Sequence, residues 1–140
     1  MKLWAILLIG LAVAASGCVN SSNTNPSDNG NQAAPNNSGG NNTVFYTSSG
    51  FQPSTITVKK GETVTWVDSS GAPMWVASNQ HPIHSGYDGT SLAQHCSNGQ
   101  SDTFDSCKSR STYSFTFDKK GSWSYHNHLS PGYTGTVTVR

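Results

Sequence analysis

Apolar and polar residues alternate along several stretches of the chain. In the first, "STITVKKGETVTWVD", Ile56 and Val58 alternate with threonines. Val64 and Trp66 repeat the alternation after Lys59–Glu62, which has the composition of a turn. A period of two places alternate side chains on one face of a strand. The stretch therefore predicts a pair of strands with one buried face.

The same alternation recurs in "STYSFTFDKKGSWSYHNH" and in the closing "GTVTVR". An Asp118–Gly121 turn divides the longer stretch into two strands. No part of the chain shows helical periodicity, and short strands separated by turns are typical of an all-β sandwich. The side chains expected to face its core are Tyr113, Phe115, Phe117, Trp123, Tyr125, Val137 and Val139.

The first 17 residues, "MKLWAILLIGLAVAASG", have the pattern of a secretory signal peptide. They begin with Lys2, continue with an apolar run too short for a membrane span, and end in small residues. The residues before Cys18 resemble a bacterial-type lipobox, with Ala15 where leucine is more usual. We expect cleavage before Cys18 and lipid attachment to its thiol. Ordinary cleavage beside an unmodified cysteine is the alternative.

Residues 18–42 contain almost no apolar side chains. Such a segment cannot bury enough surface to offset the entropy of ordering, so it predicts a disordered Asn/Ser-rich tether. One globular domain remains, residues 43–140. Together these features predict an exported protein that is lipid-anchored to the membrane and faces the periplasm or the cell exterior.

The stretch Pro73–Arg110 is long for a loop and has no strand pattern, and residues 79–110 are predicted to be an insertion. Long loops in compact domains are usually functional or disordered. Cys96 and Cys107 lie within it, and in an exported protein we expect them to form a disulfide, which argues against disorder. Thiolate metal ligation is the alternative, but "HCSNGQSDTFDSCKS" is typical of an irregular loop rather than of a CxxC metal-binding motif.

Charge and motif content exclude several functions. Charged residues make up only 11% of the chain, and the net charge of +1 falls to zero without Lys2. No basic patch indicates a nucleic-acid partner. No G-x-S-x-G motif or phosphate-binding glycine loop supports hydrolytic or nucleotide chemistry. Asp88, Asp102 and Asp105 do not have EF-hand spacing, and we interpret them as turn residues.

Two long segments, "ITVKKGETVTWVDSSGAPMWVAS" and "YSFTFDKKGSWSYHNHLSPGYTGTVTV", resemble the cupredoxins, the plastocyanin-like copper domains. The resemblance covers most of residues 43–140. It implies a Greek-key β-sandwich of the cupredoxin type, here with a disulfide-stapled loop insertion, and it implies copper as the cofactor.

The blue-copper site of that family needs two histidines, a cysteine and usually a methionine. This chain departs from the pattern at all four positions. By the resemblance, the four ligands would fall at Met74, Asn127, near Ser130 and at Tyr133. Without the thiolate we expect neither the intense blue colour nor ordinary blue-copper electron transfer.

A different set of histidines is present. "GSWSYHNH" resembles the H-x-H strand of multicopper oxidases, and residues i and i+2 of a strand share a face, which places His126 and His128 together. "HPIH" in the insertion adds His81 and His84, which predicts a metal site of three or four imidazoles. We expect His95 to be an exposed loop residue, and we leave Met74 out of the ligand set.

These observations predict a cell-surface copper-binding protein with a role in copper storage, transfer or electron transfer. Imidazole suits Cu²⁺, and copper cycles to Cu⁺; zinc is the less favoured substitute in such a site. The expected partners are the membrane, through the lipid anchor, and a redox or copper-transfer protein. Two alternatives stay open: a copper-dependent oxidoreductase site formed in an oligomer, and a metal-free binding or adhesion module.

Overall fold

Two four-stranded sheets face each other in the computed structural model, which describes residues 42–97 and 102–140. One sheet has the strand order β2-β1-β4-β6 and the other has the order β3-β8-β7-β5. Along the chain the elements are β1 Thr43–Thr47, β2 Gly50–Gln52, β3 Thr55–Val58, β4 Thr63–Asp68, β5 Val76–Ser78, α1 Leu92–Ser97, β6 Thr112–Thr116, β7 Gly121–Asn127 and β8 Ser130–Val139. The prediction of an all-β sandwich with a stapled insertion is confirmed.

The two strands on either side of each predicted turn belong to different sheets. β3 pairs with β8 in parallel, whereas β4 pairs with β1 and β6. In the same way β6 lies in the first sheet and β7 in the second. The prediction that Ile56–Val58 and Val64–Trp66 form one strand pair was therefore wrong. The alternation of apolar and polar residues indicates which side of a strand is buried, and β3 and β4 both bury their apolar side in the same core. It does not indicate which strand is the hydrogen-bonded neighbour.

The core lies between the sheets and is rich in aromatic rings. Trp66 is at its centre and is fully buried. The ring centroids of Phe104, Tyr113, Phe117 and Tyr125 lie 5.3–6.3 Å from that of Trp66. Because Phe104 comes from the insertion, the insertion is part of the core and not only a surface loop.

The insertion begins beside the end of β7. β5 pairs antiparallel with β7, so that Ala77 is opposite His126 and Val76 is opposite Asn127. The Ser78 amide then donates to the Phe104 carbonyl at 2.9 Å. This register brings the residues that follow β5 close to the H-x-H segment.

The six-residue helix α1 was not predicted, because it is too short to show a helical period. Within the described residues no helix is long and apolar enough to cross a membrane. The signal peptide, the lipidated Cys18 and all but the last residue of the tether lie outside the described residues, and they stay predictions.

Candidate metal centre

His126 and His128 lie at the end of β7, where the strand is irregular. The pairing of β7 with β8 shifts its register between His126 and Asn127, and the strand ends at Asn127. His126 is almost completely buried and His128 is partly buried. Their ring centroids are 6.5 Å apart.

The insertion brings two more imidazoles to the same place. His81 is 5.4 Å from His126 and 5.0 Å from His128 between ring centroids. His84 is 5.0 Å from His126 and 4.8 Å from His128. All four histidines that the sequence predicted as ligands are therefore neighbours. His81 is the exposed member of this four-histidine cluster.

The ring nitrogens are close enough to share one ion. His81, His126 and His128 each offer a nitrogen within 4.8 Å of the others. Nε2 of His84 lies 3.0 Å from Nδ1 of His128. This contact is a hydrogen bond between the two rings, so the shared proton would have to leave before both nitrogens could bind one ion.

His126 presents a bare nitrogen to the cluster. Its Nδ1 lies 3.0 Å from the side-chain oxygen of Asn79, an acceptor, so Nδ1 carries the proton and donates. Nε2 then has a free lone pair. It is buried and has no hydrogen-bond partner among the described residues. A buried nitrogen without a partner is costly unless something fills the gap, and a metal ion would do so.

The pKa values of two rings favour their neutral, ligating forms. Burial, together with the nearby His84, His81 and His128, lowers the pKa of His126 from its ordinary 6.5 to about 4. Burial and the same kind of neighbours also lower the pKa of His128. Since a metal binds neutral imidazole, these rings are ready to ligate at neutral pH.

Asp105 is the centre of a buried hydrogen-bond network behind the cluster. Its Oδ1 accepts from Nε1 of Trp75 and from the amide of Cys107, both at 2.7 Å. Its Oδ2 lies 2.5 Å from Nδ1 of His84 and 3.1 Å from Nε2 of His95. Burial by itself would raise the pKa of Asp105, but the hydrogen bonds from His84, Trp75, Cys107 and His95 outweigh it and hold the pKa below its ordinary value.

Two predictions about the insertion were wrong. His95 is not an exposed loop residue: it is buried in α1, where Nε2 faces Asp105 and Nδ1 lies 3.0 Å from the Thr90 hydroxyl. Asp105 is not merely a turn residue, because it is 6% exposed and accepts from four side-chain or main-chain groups. The local Gly/Ser/Asn-rich sequence predicted a turn, which the bond from the Cys107 amide provides, but it gave no indication of the contacts with residues 75, 84 and 95.

The cysteines form the predicted disulfide. Cys96 and Cys107 are bonded, with their Cα atoms 5.3 Å apart. Although both sulfurs lie near His95 and Asp105, they are not free thiolates, so the bond removes the alternative that they act as metal ligands here.

The resemblance places Asn127 where the family pattern has cysteine. It is fully buried, and its side chain is engaged with the main chain of residues 73, 75 and 129. The indole ring of Trp75 packs on His128, with 4.3 Å between ring centroids. Tyr133 instead packs on Tyr46. Met74 is buried in the core. The cluster is thus lined by nitrogen donors and by Trp75.

The fold and the site define a class of protein: a cupredoxin-type sandwich with an imidazole cluster at one end of β7. Residues 38–140 match the family described as copper binding proteins, plastocyanin/azurin family. The chain therefore belongs to the plastocyanin/azurin family of copper-binding proteins. The matched range includes all four histidines of the cluster.

Two plastocyanins are similar in sequence. Plastocyanin of Scenedesmus fuscus is 33% identical over 92 residues, which cover 64% of this chain and 86% of that protein. Chloroplastic plastocyanin of Tetradesmus obliquus is 27% identical over 92 residues, which cover 64% of this chain and 58% of that protein.

Solved structures support the fold. A novel purple cupredoxin from Nitrosopumilus maritimus has a TM-score of 0.51 at 18% identity, covering 70% of this chain and 98% of that one. A reduced amicyanin variant has a TM-score of 0.52 at 22% identity, covering 74% of this chain and 85% of that one. At such identities the likeness concerns the architecture.

Proposed function

We propose that the protein binds one copper ion through His81, His84, His126 and His128, and that it stores or transfers copper outside the cytoplasm. The observation that carries the proposal is the buried, unpartnered Nε2 of His126, which faces a cluster of three further imidazoles. Membership of a copper-binding family supports copper as the ion. Nitrogen donors also favour copper over zinc in the Irving–Williams order.

Each histidine contributes in its own way. His126 and His84 are buried, and each has its Nδ1 hydrogen-bonded to an oxygen, so each offers Nε2. His128 offers a nitrogen from beneath the Trp75 ring. His81 is exposed, so it is the ligand that solvent or a partner protein reaches first.

When bound, copper would supply a one-electron couple. The described part of the chain holds Asn127 and an oxidised cysteine pair near the cluster instead of a free thiolate. We therefore assign storage or transfer as the main role and expect any electron transfer to be slower than at a thiolate site, because no strong copper–sulfur bond limits reorganisation.

The first experiment is a Cu²⁺ titration of the purified protein, followed by EPR and visible absorption. We expect one copper per chain, nitrogen hyperfine structure and no intense thiolate band. The double variant His126→Ala/His128→Ala should lose the signal, whereas Asp118→Asn, at an exposed position before β7, should keep it. Weak, substoichiometric binding that the double variant does not change would overturn the proposal. A parallel Zn²⁺ titration tests the metal preference.

We further propose that the chain is exported and anchored to a membrane by lipid on Cys18, as the sequence "AASGC" suggests. Mass spectrometry of the protein purified from membranes should find a processed, lipidated cysteine at its amino terminus. An unmodified Cys18, or a Cys18→Ser variant that stays with the membrane, would contradict the anchor. Neither result bears on copper binding.

A further inference from the structure

The two oxygens of Asp105 have different partners, and the difference determines which nitrogen of His84 carries its proton. Oδ1 receives the indole N–H of Trp75 and the main-chain N–H of Cys107. Both groups can only donate a hydrogen bond. This end of the side chain must therefore be an acceptor, and it is fixed in place by two short bonds.

The second oxygen faces His84. Nδ1 of His84 lies 2.5 Å from Oδ2, and Nε2 of His95 lies 3.1 Å from the same oxygen. The carboxylate is therefore surrounded by four nitrogen groups and acts as their acceptor, so Nδ1 of His84 carries the proton and Nε2 has the free lone pair. That Nε2 is the atom that lies 3.0 Å from Nδ1 of His128.

The main chain around His84 is also restrained. His84 has a φ of +64°, in the left-handed region that few residues other than glycine adopt. Its carbonyl accepts a 2.6 Å hydrogen bond from the Ser78 hydroxyl, and its amide donates to the Gln80 carbonyl at 2.7 Å. The backbone is thus held by residues of β5 and the turn after it, and the ring is held by Asp105.

Asp105 itself is anchored on both sides. It forms an isolated bridge with Ala77 of β5. The disulfide ties the neighbouring Cys107 to Cys96, next to His95, which also faces Oδ2. The position of the carboxylate therefore depends on β5 and on the stapled insertion together.

From this arrangement we propose that Asp105 is a positioning residue that sets the tautomer of His84 and directs Nε2 into the four-histidine cluster. The part of the inference that concerns the metal rests on the proposed copper site. The part that concerns the tautomer stands on its own. Ligating histidines commonly donate their other N–H to a carboxylate, which fixes the ring and raises its basicity.

The decisive variant is Asp105→Asn. Trp75 and Cys107 still require an acceptor, so the amide oxygen occupies the Oδ1 position and the NH₂ group faces His84. The NH₂ group can only donate, so it forces Nδ1 of His84 to accept and moves the proton to Nε2. The substitution keeps the size of the side chain and blocks the atom that should bind metal. We expect Cu²⁺ affinity to fall roughly 10–100-fold.

The tautomer is measured without metal, by long-range ¹⁵N–¹H correlation of the histidine rings near pH 8. The wild type should show His84 protonated at Nδ1 and bare at Nε2, and Asp105→Asn should show the reverse. Asp118→Asn is the matched control: it changes an exposed aspartate in the turn before β7, at the opposite end of that strand from His126. It should leave both the tautomer and the copper affinity unchanged.

The outcomes separate this inference from the proposed function. If the wild type binds copper and Asp105→Asn binds it equally well with the tautomer unchanged, the positioning role is overturned and the copper site is not. If the wild type fails to bind copper, the proposed function fails, and the ring spectra still decide whether Asp105 controls His84. If the variant does not fold, the wild-type spectrum decides, since a proton on Nε2 of His84 would overturn the inference.

Discussion

The main-chain N–H of Trp75 donates a 3.0 Å hydrogen bond to the side-chain oxygen of Asn127. The same oxygen accepts from the Leu129 amide at 3.2 Å, and the Asn127 amide nitrogen donates to the Pro73 carbonyl at 3.1 Å. One buried side chain therefore satisfies three main-chain groups, two in the segment before β5 and one in the turn after β7. Asn127 is thus a structural cross-link between the segment before β5 and the turn after β7.

Asn127→Ala should be strongly destabilising. It leaves two N–H groups and one carbonyl without their partner, and unsatisfied buried groups cost about 1–3 kcal/mol each. Because solvent can reach part of this region, we expect a loss of roughly 2–4 kcal/mol in the free energy of unfolding. Urea unfolding of the metal-free protein measures it. Gln52→Ala, at an exposed position, is the control, and equal midpoints for the two variants would contradict the cross-link.

The metal-free protein should become less stable as the pH falls from about 6.5 to about 4. The pKa of His126 is about 4 in the folded chain and near 6.5 when exposed, so between these values the unfolded chain binds a proton that the folded chain excludes. The stabilising contribution is complete above pH 6.5 and is lost on the way down to pH 4. The depressed pKa of Asp105 acts at still lower pH.

Unfolding free energies measured at a series of pH values test this dependence. His126→Gln removes one titrating ring and should reduce the slope between pH 6.5 and 4, and the slope that remains is assigned to His128, whose pKa is also lowered. A wild-type stability that is constant across this range, or a variant with the same slope, would show that the ring does not resist protonation.

Loss of the disulfide should lower both stability and copper affinity. The bond closes a loop with a sequence separation of 11 residues, and the chain-entropy model assigns about 2–3 kcal/mol to such a loop. The affinity should fall as well, because Cys107 donates its amide to Asp105, which holds His84. The comparison is between Cys96→Ser/Cys107→Ser and the wild type, by thermal unfolding and by competition with a copper chelator. An unchanged copper affinity would show that the disulfide stabilises the fold but does not position the metal site.

His126→Ala should weaken Cu²⁺ binding more than His81→Ala, by at least about tenfold, or roughly 1.4 kcal/mol. The buried His126 ring is already held by Asn79, so it loses little freedom on binding an ion. His81 is exposed and must be ordered first. Chelator competition gives both affinities, and faster release from His81→Ala in stopped flow would support its role as the outer ligand. Equal losses would contradict this order of importance.

Local patterns were sufficient to predict the sandwich. Val64, Trp66, Phe115 and Phe117 alternate with polar residues and are buried as expected. The pair of cysteines in the insertion predicted the disulfide. The H-x-H and HPIH motifs predicted the four histidines that the structure brings together. These signals are local: a strand period, a residue pair and a short motif each depend on neighbours along the chain.

The tertiary structure alone decided the strand partners and the support of the site. β3 and β4 alternate alike yet belong to different sheets, because hydrogen-bonded pairing is a property of the whole fold. Asp105 accepts one local hydrogen bond, from the Cys107 amide two residues along the chain, but its other partners, residues 75, 84 and 95, are distant in sequence. His95 is buried for the same reason. The sequence by itself therefore determined the class of fold and the four imidazoles, whereas only the folded chain decided which nitrogen each buried ring offers.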